Sequence, residues 1–411
     1  MARALGRVSG RTTTEVAIVV CLLAAAVASA QGLPSEPISV ANGRLVFGAE
    51  VTATIGQDDP GFFNYTDYEY NALQNIRVGV SAEIRASDAV QVLGEVRLDH
   101  GRVFEPYGLF VRIRPWSKRR LDIQAGLIPP TFGSLTRTSY ATDNFLIGQP
   151  MAHQYLLSLR SDSIPANADD LLRMRGRGWL SNFPVGDPAP APGLPIVNTA
   201  RWDTGVQVHG VKGVVEWTGS VTLGSLSEPR WSENNGRRQL AGRVVLHPSA
   251  AFQFGVSGAR GGWVDQSVDR SLPEGLSTND ARQQALGVDA EYSAGPVLIR
   301  GELIRASWTM PAVDAPPIDE PLVATAGLIE GRYKVMPGLY LAARGDRIGF
   351  SSITGTIRQD TWEANIWRFE GGFGFSITRN VLLKGSWQRN RRQGGRVQGD
   401  TLLAAQLVYW F

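Results

Sequence analysis

The side chains best suited to proton transfer near neutral pH are four histidines, His100, His153, His209 and His247. His100 follows Asp99, and His153 sits in a long polar segment, so a Ser-His or Asp-His site on a surface rim would make a hydrolase. No Gly-x-Ser-x-Gly or His-Glu-x-x-His pattern accompanies them. A lone His beside an Asp is more often a turn residue than half of a dyad, so catalysis is not expected, and neither a cofactor nor a metal site is read. A second group is the run Asp169-Asp170-Leu171-Leu172-Arg173-Met174-Arg175-Gly176-Arg177. Asp169 and Asp170 set close to Arg173, Arg175 and Arg177 in a water channel would create a transverse field, and rings of charge select ions. Whether these groups meet depends on the elements that carry them.

At the N-terminus Arg3, Arg7 and Arg11 precede an apolar run from Val16 to Val27 that ends in Ala28-Ser29-Ala30. A basic segment, a short apolar core and an Ala-x-Ala site make residues 1–30 a secretory signal peptide. Twelve residues fall short of the ~20 that a spanning helix needs. The only cysteine, Cys21, lies within this run, flanked by Val20 and Leu22-Leu23, which does not suit lipidation. Without the leader the chain has no thiol, which excludes disulfides, thiolate metal sites and cysteine catalysis. Lys+Arg then falls from 41 to 38 and Asp+Glu from 38 to 37. The resulting net charge of +1 gives no support for nucleic-acid binding.

No later apolar stretch could form a spanning helix, yet the chain holds 46 Gly, 11 Trp, 10 Tyr and 15 Phe. A membrane span must then be made of strands, which a closed barrel permits because every backbone group pairs between strands. Spanning strands of ~9–11 residues should alternate apolar and polar. Residues Asn75 to Ala86 do: Ile76, Val78, Val80, Ala82, Ile84 and Ala86 fall on one face, and Asn75, Arg77, Gly79, Ser81, Glu83 and Arg85 on the other. Ser87-Asp88-Ala89 turns the chain into a second such strand. Further tight turns are read at Pro115 to Arg120, Val211 to Gly213, His247 to Ala250, Ala294 to Pro296, Met336 to Gly338 and Thr378 to Asn380. Longer polar segments alternate with them: Gly56 to Leu73, His100 to Glu105, Ile128 to Asn198, Ser225 to Arg238, Gly262 to Asp280, Met310 to Glu320, Ser351 to Asp360 and Arg391 to Gly399. Eight loops and seven turns predict sixteen antiparallel strands, with short turns on the periplasmic side and long loops outside. Eighteen would follow if the third loop concealed a hairpin. A soluble β-sandwich is the structural competitor, but its strands are shorter. The expected layout is a segment of residues 31–42 followed by one all-β, transmembrane antiparallel barrel over residues 43–411.

The last strand, Thr401 to Phe411, sets Leu403, Ala405, Leu407, Tyr409 and Phe411 on one face. It resembles the terminal strand of bacterial outer-membrane proteins, which implies recognition by the barrel assembly machinery through Phe411. The third loop opens with Ile128-Pro129-Pro130-Thr131-Phe132-Gly133, similar to a Pro-Pro-x-Phe-Gly-type segment of phosphate-selective porin-like proteins. That resemblance implies the architecture and not the solute: an outer-membrane barrel whose loop of about seventy residues, 128–198, folds inward to narrow the pore.

Sixteen strands enclose a water-filled lumen. Strand parity points Arg77, Arg85, Arg97, Arg112, Arg114, Arg201, Arg243, Arg300, Arg332, Lys334, Arg344, Arg368 and Lys384 inward, with Glu83, Glu95, Asp99, Asp203, Asp289, Glu291, Glu302, Glu330, Asp346 and Glu370. The small basic excess suggests a weak anion preference, reduced by cross-strand pairing. The function expected on these grounds is passive diffusion of small hydrophilic solutes or ions. A rim hydrolase and a structural barrel without transport are the alternatives, and a ~22-stranded transporter would need a plug domain. The expected partners are membrane lipid, the assembly machinery, small solutes or ions, and further copies in a homotrimer if the outward face at Trp367, Phe369, Gly371, Phe373 and Phe375 packs on a neighbour.

Overall fold

A computed structural model describes residues 33–67, 70–99, 104–116 and 120–411. The signal-peptide reading of residues 1–30 and His100 lie outside the described residues. The alternating sequence forms strands β1 (Leu45–Gly56), β2 (Ile76–Arg85), β3 (Val90–Asp99), β4 (Phe104–Ile113), β5 (Leu121–Ile128), β6 (Asp203–Lys212), β7 (Val215–Thr222) and β8 (Gln239–Ser249). They continue through β9 (Phe252–Gly262), β10 (Arg282–Ala294), β11 (Val297–Trp308), β12 (Leu322–Met336), β13 (Leu339–Phe350), β14 (Ile366–Thr378), β15 (Val381–Arg392) and β16 (Gly399–Trp410).

Each strand pairs antiparallel with its sequence neighbours, and β1 closes on β16 from Glu50↔Trp410 to Gly56↔Ala404. The result is a sixteen-stranded closed barrel with no free edge to leave backbone groups unpaired in lipid. All seven tight turns lie at one rim, here the turn end, and the eight longer connections at the other, the loop end. The third loop does contain a ladder, Ser163–Ile164 with Val185–Gly186, but it stands apart from the wall and leaves the strand number at sixteen. Residues before the barrel add a short strand, Ile38–Val40, paired on β1 at Leu45–Phe47.

The outward face carries the exposed large apolar side chains, among them Leu240, Leu286, Leu303 and Ile329. Phe252, Phe254, Tyr292, Tyr333, Phe373 and Phe375 all project outward near the turn end, the position of an interfacial aromatic belt. The wall is uneven in height: β5 and β7 have 8 residues each, whereas β12 has 15.

The protein's hydrophobic core lies inside the barrel. Inward positions of β10 to β14 near the loop end are Ala285, Ile304, Ala306, Trp308, Leu322, Ala324, Ala326, Ile348, Phe350 and Ile366, all buried against Met151, Tyr155, Leu157, Leu159, Leu171 and Phe183 of the third loop. This corrects the expectation of a lumen that is polar and wet along its whole height. Trp308, Phe350 and Trp362 stack edge to face there, with Trp362 centred 4.9 Å from Phe350. Trp263 and Trp362 donate their indole N–H groups to the carbonyls of Thr309 and Val323, each at 2.9 Å, so aromatic bulk is buried without an orphaned donor.

Candidate functional site

The third loop enters the lumen directly after Pro129-Pro130, which lack the N–H groups needed to continue the β5 ladder. Gly133 turns the chain at φ +80°, where a Cβ would lie 2.8 Å from a Glu302 carboxylate oxygen. From there the loop backbone is held by charged wall residues on nearly opposite sides of the barrel. Ser134 N–H donates to Glu302 (2.8 Å), and Ala141 and Thr142 N–H donate to the Glu50 carboxylate at 3.0 Å each. Arg77 donates to the Ser139 carbonyl at 3.0 Å, and Lys384 Nζ donates to the carbonyls of Ala141, Asn144 and Leu146 at 2.5, 2.6 and 3.2 Å. Arg344 donates to Gly148 O (2.6 Å) and Asn144 Oδ1 (2.8 Å), while Gly148 N–H donates to Glu370 (3.0 Å). Arg368 completes the row at the Gln149 carbonyl, 3.2 Å. Residues 134–149 have little secondary structure, so the wall supplies the partners their backbone would otherwise lack.

Beyond this strap, Ser158 donates to Glu363 through both its backbone N–H and its hydroxyl, and Gly176 N–H donates to the other oxygen of the same fully buried carboxylate. Glu363 belongs to the connection after β13 and thereby ties two distant parts of the third loop to the loop-end rim. His153, with no side-chain exposure, lies 3.3 Å from Glu302 and fixes the loop to β11. His209 and His247 flank Glu216 at 3.9 and 3.4 Å near the turn end. No group of three or more His, Cys, Asp and Glu side chains gathers at metal-binding distance among the described residues.

No protein-family model and no curated protein sequence matches the chain. Solved structures do. The chain is similar to OmpT expressed in the outer membrane of Vibrio cholerae (10% identity, TM-score 0.55, covering 92% of this chain and 100% of that one). Salmonella typhi OmpF in complex with daunomycin matches at 10% identity, TM-score 0.55 and the same coverages. An anion-selective porin from Comamonas acidovorans matches at 10% identity and TM-score 0.53, covering 89% of this chain and 99% of that one. The fold is that of the bacterial outer-membrane porins.

Within this porin-fold barrel, most of the inward arginines have carboxylate partners. Arg77 pairs with Asp99 at 2.8 Å and Arg114 with Asp122 at 2.8 Å. Arg243 grips Asp289 through two bonds of 2.6 and 2.8 Å. Glu330 receives both Arg300 and Arg344, the latter at 2.6 Å. Arg85 pairs with Glu83 at the exposed turn end (2.7 Å), whereas Arg112 and Arg332 face no carboxylate within ion-pair distance among the described residues. Arg332 instead sits 4.7 Å over the Phe145 ring. Arg201 stands exposed just before β6 rather than on the strand.

Arg97 forms the most aromatic of these contacts. Its guanidinium lies 3.2 Å from the Tyr107 ring centre and 4.4 Å from that of Tyr140, and it bonds Glu95 at 2.6 Å. Tyr140 donates its hydroxyl to Glu95 at 2.6 Å. Burial pushes the Tyr140 phenol above its ordinary value against the opposing pull of Arg97, so it remains a donor at neutral pH. Beside this cluster a cavity of about 250 Å³ opens between Tyr140-Thr142 and the wall, with Arg77 and Arg97 set against Glu50 and Glu95.

The five charged residues of the run at 169–177 are dispersed rather than gathered in a channel. Asn167 caps the helix Ala168–Met174 by accepting from Asp170 N–H, and Leu171, Leu172 and Met174 are buried. Burying that face turns Asp169 toward Thr356, whose N–H and hydroxyl it accepts, and places Arg175 3.3 Å from Asp360. Arg173 is half exposed 3.8 Å from Asp170, and Arg177 is exposed. Sequence reasoning missed Glu50, Tyr107, Tyr140 and Glu363. Glu50 was accessible from the parity of β1, but Tyr107 was not, because a register shift between Glu95 and Val96 on β3 opposite β4 breaks the alternation.

Proposed function

We propose that the chain is an outer-membrane porin that passes small hydrophilic solutes or ions by passive diffusion, along a narrow wet route beside its third loop. The observation that carries this reading is the cavity between Tyr140-Thr142 and strands β1 to β3, whose lining brings Arg77 and Arg97 together with Glu50 and Glu95. Such opposed charges orient dipolar solutes. Toward the turn end the inward positions are again charged, with Arg85, Arg112, Arg114, Arg243, Arg332 and Lys334 alongside Glu83, Glu216 and Glu291. In this reading Arg77, Arg97, Glu95, Arg300, Glu302, Arg344 and Arg368 hold or line the constriction, and Asp169, Asp170, Arg173, Arg175 and Arg177 shape the outer mouth. Arg112, Arg332 and Lys334, which pair with no carboxylate among the described residues, favour a small anion preference.

The partners are membrane lipid, the assembly machinery that receives the strand ending at Phe411, and the permeating solutes. A trimer through the outward aromatic face of β14 is tested by the mass of the native particle. The functional test is single-channel recording in a planar bilayer. The protein should give small discrete steps with a reversal potential slightly toward anions, and Tyr140→Ala should enlarge the steps. A protein that inserts and folds but gives no steps is not a porin.

A further inference from the structure

The outward face of the barrel carries charge only where lipid headgroups would meet it. At the loop end Arg260, Arg305, Arg347 and Arg391 project outward and are exposed, and none of them pairs with a carboxylate among the described residues. No outward position of the sixteen strands is an Asp or Glu. Loops of an outer-membrane barrel face outside the cell, so this basic ring lies in the outer leaflet.

Two of these arginines and a tryptophan form one built feature. The strand registers place Arg347 opposite Trp367 and Trp367 opposite Arg391, so two guanidinium groups flank an indole in a single row across β13, β14 and β15. Adjacent strands lie ~4.8 Å apart, so the two arginine backbones are roughly 10 Å apart, within reach of one phosphate for side chains of that length. Gly327 and Gly399 occupy the next positions of the row on either side and leave it open. Arg391 lies 6.0 Å over the Trp367 ring, and Arg389 donates to Thr401 at 2.6 Å, bordering a cavity of about 510 Å³. Toward the middle of the barrel the same surface becomes apolar, with Phe369, Trp387 and Leu403 exposed.

We propose that this patch binds an anionic lipid, with its phosphate between Arg347 and Arg391 and its acyl chains along the apolar surface. Charge complementarity selects phosphate, since guanidinium forks bind its oxygens through charge-assisted hydrogen bonds. The continuous apolar strip selects a lipid over free phosphate. Simple snorkelling of arginines to an interface would need neither the flanked indole nor the absence of carboxylates.

The test is native mass spectrometry of the detergent-solubilised full-length barrel titrated with phosphatidic acid, with diacylglycerol of the same chains, and with phosphatidic acid in excess inorganic phosphate. The wild type should retain phosphatidic acid, release diacylglycerol and resist displacement by phosphate. Arg347→Gln/Arg391→Gln should weaken retention roughly tenfold, as expected for loss of charge-assisted contacts. Arg173→Gln/Arg177→Gln, which removes the same charge from the loop surface, should leave it unchanged. Equal retention by the two double variants, equal binding of diacylglycerol, or displacement by inorganic phosphate would overturn the proposal. If the Gln pair does not fold, judged by heat-dependent gel migration, Arg347→Lys/Arg391→Lys takes its place and should weaken binding without abolishing it; unchanged binding counts against the site.

Discussion

In the loop-end half of the barrel, β10 to β13 turn Ala285, Ile304, Ala306, Trp308, Leu322, Ala324, Ala326, Ile348 and Phe350 inward; in the turn-end half the same strands turn Glu291, Arg300, Arg332 and Lys334 inward. The first set is buried against the third loop, and the second is charged and at least partly exposed. The wall therefore changes chemistry along its height, and the loop's own sequence explains where. Residues 151–174 bring Met151, Tyr155, Leu157, Leu159 and Leu171, which need an apolar surface. Residues 134–149 bring mostly unpaired backbone groups, which need charges and receive Arg344, Arg368 and Lys384. An inward position in a wide barrel is wet only where no loop covers it.

Replacing Arg344 with Met should have the largest effect on this contrast. It leaves Glu330 and Glu370 buried at about the mid-height of the lumen, and removing one partner of a buried pair costs about 3–5 kcal/mol. Urea unfolding of the refolded barrel should report it, and a loss under 1 kcal/mol would mean that this region is far wetter than the contacts imply. Ile304→Ala, in the apolar half, should cost about 2–5 kcal/mol through the cavity it leaves. A neutral result in the same assay would remove the idea of a packed loop-end core. Gly133→Ala should cost about 1–2 kcal/mol, since a side chain at positive φ is strained and the new Cβ meets Glu302. Its expected signature is raised protease sensitivity within the third loop with the wall intact. Arg173→Ala and Arg177→Ala sharpen the comparison by their silence. Both side chains are solvated, so stability should move by no more than about 0.5 kcal/mol.

The wall was legible in the sequence because the membrane imposes a strict period of two and the connections alternate short with long. The observed chain reversals fall at Ser87-Asp88-Ala89, Ala294 to Pro296, Met336 to Gly338 and Thr378 to Asn380, whereas the turns read at Val211 to Gly213 and His247 to Ala250 stop one residue short, because β7 begins at Val215 and β9 at Phe252. The interior was less legible. Parity identified Arg344, Glu330, Arg368 and Glu370 as inward but could not say that Glu330 would serve two arginines or that Arg344 would grip Gly148. Those contacts depend on where a segment with almost no regular structure crosses the lumen, and no local periodicity encodes that path. The apolar inward positions were visible in the same alternation: Ile304, Ala306 and Trp308 share a face with Glu302. Their meaning required a cover that only the folded loop supplies. The dispersal of the acids and bases at 169–177 has the same origin, because the buried Leu171 and Leu172 set the helix's orientation and the charges follow.

Wall charges pin the third loop across the lumen, and Lys384 carries the heaviest share, its ammonium holding the carbonyls of Ala141, Asn144 and Leu146 at once. Single-channel recordings of the wild type and of Lys384→Met should be compared in the same bilayer and salt. The wild type should give small, stable steps and the variant, whose strap has lost its anchor, larger and noisier ones. Identical steps from two folded barrels, or silence from both, would contradict that expectation.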